Sequence, residues 1–194
     1  MDRTAHRHRA RAPRAARGLT LIEMMVTVSV LIILLAVGVP SFRDLIDRNR
    51  IAAEVNSLIS DLQFARSEAI RQGLPVIVCA SSDGTGCSGN NTWHGGWIVF
   101  TDVDGSGTKG SAAAEPVMRQ RTAFAGSDTL ADASAGAVTQ LAFNREGFAS
   151  LGGGTVMLTL RTSPANSAQL RCVEINRIGR QVLHKAGDGA CPSS

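Results

Sequence analysis

Hydrophobic positions divide the chain into three stretches with different periodicities. Residues 19–39 are almost continuously apolar, residues 42–71 carry an apolar residue every three or four positions, and the chain beyond Pro75 forms short apolar runs between turn residues. A repeat of three to four residues predicts an amphipathic helix. Its apolar positions are Phe42, Leu45, Ala52, Val55, Leu58 or Ile59, Leu62, Ala65 and Ala69, with Arg43, Asp47, Arg50, Glu54, Asp61, Arg66 and Glu68 on the opposite face.

The first two stretches predict one long helix. Gly73 and Pro75 are typical signals for its C-terminal end. If the helix is continuous from Leu19 to about Gln72, it is roughly 80 Å long at about 1.5 Å per residue. Gly38 and Pro40 predict a kink or local loosening inside it.

The third stretch predicts β-structure. Seven runs have strand-like composition: residues 75–81, 96–101, 116–121, 138–143, 155–162, 169–176 and 180–184. Segments 104–115 and 125–137 are rich in Gly, Ala, Ser and Asp and predict loops. We therefore expect an α+β fold, in which the outer half of the long helix packs its apolar stripe on an antiparallel sheet.

The charge distribution indicates an exported chain. The formal net charge of +4 includes six arginines and one aspartate in residues 1–18, which leaves 14 basic and 15 acidic residues in the remainder. The next 21 residues, 19–39, contain a single ionisable group, Glu23, and about 20 apolar residues are enough to cross a bilayer as a helix. Arginines before the span should stay cytoplasmic, so the chain after Pro40 is expected in the periplasm.

Four cysteines lie in the part expected to be translocated: Cys79, Cys87, Cys172 and Cys191. An even number in an oxidising compartment predicts two disulfides, for which three pairings are possible. Sequence proximity favours Cys79–Cys87 and Cys172–Cys191, each closing a local loop. The cysteines are too widely spaced for a structural zinc site.

The string Arg17-Gly18-Leu19-Thr20-Leu21-Ile22-Glu23 resembles the processing site of type IV prepilins and type II secretion pseudopilins. This resemblance implies that a membrane aspartyl protease, the prepilin peptidase, cuts between Gly18 and Leu19 and methylates the new N-terminus. It also implies a pilin-like architecture with four parts. These are a cleaved leader (1–18), a transmembrane and assembly helix (19–40), an amphipathic helix of the head (41–73) and a β-rich head (74–194).

Glu23 is the one carboxylate in the expected membrane span. A charged side chain in lipid is unfavourable unless it has a partner. In a filament of parallel helices, the N-terminal amine of a neighbouring subunit is a suitable cation, and the pair would set the axial register. The alternative is a glutamate at the membrane interface with no role in assembly.

A second block narrows the family. Residues 66–107 contain Arg66-Ser67-Glu68-Ala69 at the helix end, an Asp83-Gly84 turn between two cysteines, and Trp93 with Gly95-Gly96-Trp97 before a strand. This block resembles the FimT minor pilins and pseudopilin H (GspH) of type II secretion. The resemblance implies a filament subunit without cofactor or enzymatic activity, and its partners would be other pilins or pseudopilins.

The C-terminal stretch is basic. Between residues 161 and 185 there is one acidic residue, Glu174, and there are five basic residues: Arg161, Arg171, Arg177, Arg180 and Lys185. Some FimT proteins bind DNA through a Gly-Arg-x-Arg element; Gly179-Arg180 matches its first half, whereas position 182 is valine. A DNA-binding site at Arg171, Arg177, Arg180 and Lys185 is one interpretation, and a solvated strand face is the other.

Other chemistry is weakly indicated. Asp102 and Asp104 could begin a calcium loop, but position 106 is serine and Glu115 is off the expected spacing, which favours an Asp/Gly turn and no metal. His94 has no matching nucleophile or carboxylate in the sequence. Trp93 and Trp97 are expected to pack in the core, with a partner-binding surface as the alternative.

The function predicted from these features is that of a FimT-like minor pilin in the inner membrane, with its head in the periplasm, that later enters a pilus. Pseudopilin H of type II secretion is the alternative. The minor-pilin interpretation can also include capture of double-stranded DNA. An enzyme tethered by a signal anchor is the least supported interpretation.

Overall fold

The structure is a computed structural model that describes residues 18–110, 113–133, 137–151 and 154–193. The arginines of the expected leader lie outside the described residues. The chain divides into two units, one ending at Leu45 and the other starting at Ile46. A single helix, α1 (Leu21–Gln72), contributes residues to both units.

The first unit consists of α1 up to Leu45. Its apolar side chains are exposed, and its two central hydroxyl groups bond within the helix: Thr27 Oγ1 donates to the Met24 carbonyl, and Ser29 Oγ to that of Met25. Such internal bonding satisfies the polar groups that a lipid environment would leave unpaired. Helix α1 continues through Gly38 and Pro40.

In the second unit, α1 buries one stripe of side chains against the sheets. The stripe consists of Ile51, Val55, Leu58, Asp61, Leu62, Ala65 and Ala69. Two of the residue assignments that the helical repeat gives for this unit are wrong; in the first unit, Phe42 and Leu45 of the same repeat are exposed. Ala52 is exposed and Ile51 takes the buried position, while Asp61, expected among the solvated charges, is 3% exposed.

Nine strands and two short 3₁₀ turns follow in the described residues. They are β1 (Val76–Ala80), the turn Trp93–Gly95, β2 (Gly96–Thr101), β3 (Val117–Thr122), β4 (Thr129–Asp132), β5 (Gln140–Phe143), β6 (Ala149–Ser150), β7 (Thr155–Arg161), the turn Ser167–Gln169, β8 (Arg171–Asn176) and β9 (Gln181–Lys185). The expected α+β class is confirmed. The strands form two antiparallel sheets, in the orders β3-β2-β1-β5-β6 and β4-β7-β8-β9, whereas the sequence indicated one sheet.

Strand β4 lies inside segment 125–137, which we expected to be a loop. Its four residues contain one large apolar side chain, Leu130, so local composition gives no strand signal. Long-range contacts hold it in place. Its backbone pairs with β7, and the Asn91 side chain both donates to the Asp132 carbonyl and accepts from the Asp132 N–H. Strand β6, only two residues long, is also absent from the seven runs predicted from the sequence.

One core cluster joins α1 to both sheets; it includes Leu58, Val78, Phe143, Leu158 and Ile175. The other face of β1 and β2 carries a second buried cluster of Ile77, Cys79, Ile98 and Phe100. Central strands buried on both faces read as continuous apolar runs, which explains why β1 and β2 were evident in the sequence.

All four cysteines are paired. Cys79 is bonded to Cys87, with Cα atoms 5.5 Å apart, and Cys172 to Cys191, with Cα atoms 5.8 Å apart. These are the two pairings that sequence proximity favours. The second bridge ties the C-terminal segment to β8, where Leu170, Cys172 and Cys191 form a small buried cluster.

Candidate functional site

The N-terminal end of α1 is capped by Thr20. The Thr20 hydroxyl oxygen accepts a hydrogen bond from the Glu23 N–H at 3.3 Å, and its carbonyl accepts one from the Met24 N–H at 3.2 Å. Threonine followed three residues later by glutamate is the sequence of a capping box. The structure shows the Thr20 half of such a box, so Glu23 occupies a position from which it can also support the start of the helix, in addition to the proposed role in assembly.

The carboxylate of Glu23 is exposed, and no described residue donates a hydrogen bond to it or lies within ion-pair distance. A negative charge in the first helical turn is favourable because of the helix dipole. Within the described residues, α1 is the one helix long and apolar enough to cross a membrane. Its apolar N-terminal part is unburied, which leaves these side chains free to contact lipid or other helices.

Four of the five basic residues of the C-terminal stretch are divided between the two ends of the β8–β9 hairpin, and the fifth, Arg161, ends β7. Arg171 pairs with Lys185 across the strands at one end, and Arg177 and Arg180 flank the turn at the other. Five residues of strand separate the ends, which is roughly 17 Å at about 3.4 Å per residue. Arg171 also donates to the carbonyls of Ala168 and Leu170. The structure therefore does not gather the four predicted DNA-binding residues into one patch.

The β8–β9 turn has a fixed backbone. The Gly179 N–H donates to the Asn176 carbonyl, the Asn176 N–H donates to the Arg180 carbonyl, and Gly179 has φ +73°. A Cβ at position 179 would lie 2.4 Å from the Gly147 carbonyl oxygen and 3.1 Å from Arg66 Nε. Glycine is thus required there both by φ and by space.

This close approach brings three arginines to one corner of the head. Arg66 Nε donates to the Gly147 carbonyl at 3.0 Å, next to Gly179. Arg177 and Arg180 are exposed, and neither guanidinium has a hydrogen-bond or ion-pair partner among the described residues. We call Arg66, Arg177 and Arg180 the arginine corner.

A model of the family described as "Type II transport protein GspH" matches residues 54–179, about two thirds of the chain. The chain belongs to the GspH family. A second model, the prokaryotic N-terminal methylation motif, matches residues 13–39. These matches include both sequence blocks on which the resemblance to pilins rested.

The GspH-family chain is also similar to individual proteins. A curated fimbrial protein of Pseudomonas aeruginosa is 31% identical over 94 residues, which are 48% of this chain and 56% of that protein. The chain thus spans little more than half the length of this relative. The crystal structure of the Pseudomonas aeruginosa type IV minor pilin FimU aligns with a TM-score of 0.55 at 24% identity, over 71% of this chain and 90% of that one. This likeness confirms the pilin-like fold.

The tryptophans of the GspH-family head are core residues, as expected. Both are fully buried; Trp93 Nε1 donates to the Val138 carbonyl, and Trp97 Nε1 to Asp61 Oδ2. His94 places its Nδ1 atom 3.3 Å from the Leu130 carbonyl and 3.4 Å from the Leu130 nitrogen, against the backbone of β4. This contact with the β4 backbone gives His94 a structural role, so its presence requires no catalytic function.

A partly buried carboxyl group, Glu54, lies beside the Arg50–Asp128 ion pair. Burial, together with repulsion from Asp128, raises the pKa of Glu54 to about 7, and Arg50 opposes the shift. Because this folded-state pKa exceeds the ordinary value of 4.5, the folded state retains the proton longer than the unfolded state does. The contribution of Glu54 to stability therefore falls as the pH rises from about 4.5 to about 7.

Asp102 and Asp104 lie in the connection between β2 and β3, and the structure brings Glu115 to them. Sequence spacing had argued against Glu115 as a member of such a group. Spacing in a linear loop motif could not reveal this contact, because Glu115 returns from the far end of the connection.

Proposed function

We propose that this chain is a minor subunit of a type IV pilus or a type II secretion pseudopilus, held in the inner membrane by α1 before it is assembled. The observation that carries the proposal is the methylation-motif match at residues 13–39, placed directly at the start of an apolar helix and followed by a GspH-family head. A structural subunit needs no catalytic group, and the names of the similar proteins describe transport, fimbrial and pilin proteins.

Within this class we favour a FimT-like minor pilin, and pseudopilin H of type II secretion is the alternative. The fimbrial relative supports the first, and the family description supports the second. Deleting the gene would separate them, because loss of surface pili with normal exoprotein secretion fits the minor pilin, and the reverse fits the pseudopilin.

Charge and redox chemistry support a periplasmic location for the head. Six arginines in residues 1–18 favour a cytoplasmic leader. Two disulfides favour an oxidising compartment for the head, since thiols stay reduced in the cytosol. The head is therefore assigned to the periplasm before assembly.

Processing is the first test of the proposal. Expressed together with a prepilin peptidase, the chain should lose residues 1–18 and begin with N-methyl-leucine at Leu19. Gly18 directly precedes the apolar run, so a cut there leaves the whole helix on the mature chain. Mass spectrometry of the purified chain measures the new N-terminus.

The matched control is Gly38→Ala, which changes a glycine inside the same helix and should not alter cleavage. Gly18→Val should block it. An intact leader in the wild-type chain, or a cut beyond Pro40, would contradict the proposed processing and with it the pilin-like route.

Binding of double-stranded DNA is a second candidate function, supported by the arginine corner. Arg177 and Arg180 are exposed on a turn whose backbone is fixed by Gly179, and guanidinium groups bind phosphate well. Such contacts carry no base information, so binding should be independent of DNA sequence. Arg171 and Lys185 lie at the other end of the hairpin, outside this group of phosphate contacts.

The chain beginning at Leu19, in non-ionic detergent, should bind unrelated duplexes with an affinity that falls as salt rises. Three phosphate contacts predict a log–log slope of about −2.7, since each contributes about −0.9. Replacing both Arg177 and Arg180 with glutamine should reduce the slope to about −0.9. Fluorescence anisotropy at several salt concentrations measures it.

The control is the double variant Arg161→Gln with Lys185→Gln, which removes the same charge at the other end of the sheet. It should leave the slope nearly unchanged. Equal slopes for the two double variants would show that net charge, rather than the arginine corner, governs binding, and no salt-sensitive binding by the wild type would remove the DNA function.

A further inference from the structure

The connection between β2 and β3 begins and ends with a buried acid. Asp102 directly follows the last residue of β2 and is 4% exposed; Glu115, two residues before β3, is 1% exposed. Asp104 is exposed on the same connection. Each of the three offers an oxygen, and these oxygens lie within 4.8 Å of one another.

Backbone N–H groups donate hydrogen bonds to several of these oxygens. Glu115 accepts from Val103 at 2.8 Å through Oε1 and from Gly110 at 2.6 Å through Oε2. Asp102 Oδ2 accepts from the Gly107 N–H at 3.1 Å. These bonds hold the carboxylates together from both ends of the connection, but they do not neutralise them.

Asp102 Oδ1 is left without a hydrogen-bond partner, although it is fully buried. Buried polar atoms are normally paired, and an unpaired one is unfavourable for folding. No Lys, Arg or His nitrogen of the described residues lies within 4.0 Å of the three carboxylates. A buried, unpartnered oxygen within a group of like charges is the environment that a bound cation would relieve.

We propose that Asp102, Asp104 and Glu115 bind one calcium ion, which links the two ends of the β2–β3 connection. The donors are all oxygens, the ligand type that hard cations prefer over zinc or copper. Exposed Asp104 gives an entry path and room for water ligands.

Calcium fits this site better than magnesium does. Calcium accepts six to eight oxygens in irregular geometry, whereas magnesium requires a nearly ideal octahedron. Here the carboxylates are already oriented by backbone hydrogen bonds, and Gly105 and Gly107, both with φ +72°, curve the connection around Asp102. The arrangement would thus be completed by water and carbonyl oxygens rather than by a rigid octahedral shell.

Calcium titration of the full chain tests the proposal. In non-ionic detergent, after chelator treatment, isothermal titration calorimetry should show one calcium per chain with a Kd on the order of 10⁻⁴ M, as in extracellular modules. Millimolar calcium should also raise the temperature at which the tryptophan fluorescence changes. Magnesium should bind at least about tenfold more weakly, because it demands stricter geometry.

Two ligand variants and a matched control complete the experiment. Asp104→Asn and Asp102→Asn should each weaken calcium binding by about tenfold or more, since affinity follows the charge of the ligands. Asp104 is exposed, and its asparagine variant retains an oxygen to accept the Ser106 N–H, so it should fold normally. Asp83→Asn is the control, because Asp83 accepts the Thr85 N–H in the same way and also precedes a glycine.

Wild-type affinity in Asp83→Asn together with weakened binding in both ligand variants supports the site. The proposal is overturned if the wild-type chain binds no calcium at millimolar concentration, or if either ligand variant binds as tightly as the wild type. Equal affinity for magnesium and calcium would overturn the assignment of calcium.

Discussion

Replacing Glu23 with alanine should keep the chain out of filaments while leaving membrane insertion and the cut after Gly18 intact. The variant helix is more apolar, so insertion should not be impaired, and the glycine of the proposed cleavage site is unchanged. The proposed partner, the N-terminal amine of a neighbouring subunit, loses its counter-charge in lipid, where ion pairs are strong. The amount of chain in sheared filaments should fall by about tenfold or more, which corresponds to at least about 1.4 kcal/mol per contact.

Glutamine at position 23 distinguishes the two roles that the structure leaves for Glu23. Thr20 caps the helix and Glu23 is the third residue after it, a position where glutamine serves as well as glutamate. If helix capping were the sole role, Glu23→Gln would enter filaments normally. If the negative charge matters, Glu23→Gln should fail like Glu23→Ala. Met24→Ala, the adjacent change in an apolar side chain, is the control and should be incorporated.

The long helix and most strands could be predicted because their signals are local. The apolar period of α1, the glycine after it and the continuous apolar runs of β1 and β2 depend only on neighbouring residues. Strand β4 carries no such signal; its position depends on Asn91, His94 and β7, which are distant in sequence. The division into two sheets is likewise a matter of long-range pairing.

The candidate sites likewise depend on long-range contacts that local sequence signals do not reveal. The arginine corner exists because Gly179 lies against Gly147, and this contact joins two hairpin turns to the helix. The acids of the β2–β3 connection meet only when its two ends come together. The residues proposed for processing and assembly, in contrast, belong to one linear motif around Gly18 and Glu23, which a sequence displays completely.

Asp61 is the clearest case in which helical periodicity gave the wrong environment. The helical repeat places this residue among the solvated charges of α1, yet it is 3% exposed. Its Oδ2 atom accepts from Trp97 Nε1 at 2.9 Å, and its Oδ1 atom from Arg119 at 2.9 Å. Arg119 also lies over the Phe64 ring, 3.8 Å from its centre. A charge can occupy the core side of a helix when such partners replace its water.

Removing this carboxylate should therefore be strongly destabilising. Asp61→Ala leaves the Trp97 N–H unpaired in the core and Arg119 without its counter-charge, so we expect a loss of about 3 kcal/mol in the free energy of unfolding. For a domain of this size, that loss corresponds to a fall in Tm of roughly 6–12 °C. Both tryptophans are in the head, so tryptophan fluorescence during heating of the full chain in detergent reports the head alone.

Asp47→Ala is the matched control, and a double-mutant cycle separates the contributions. Asp47 is a half-exposed partner of Arg50, which keeps its bond to Asp128 in the variant, so the loss should stay below about 1 kcal/mol. Asp61→Asn retains an acceptor for Trp97 and should be less destabilising than Asp61→Ala. Combining Asp61→Ala with Arg119→Met should lose less than the sum of the single changes, because the unpaired guanidinium is then gone. If Asp61→Ala unfolds no earlier than Asp47→Ala, the buried carboxylate does not stabilise the head, and the contact between α1 and the five-stranded sheet rests on apolar packing alone.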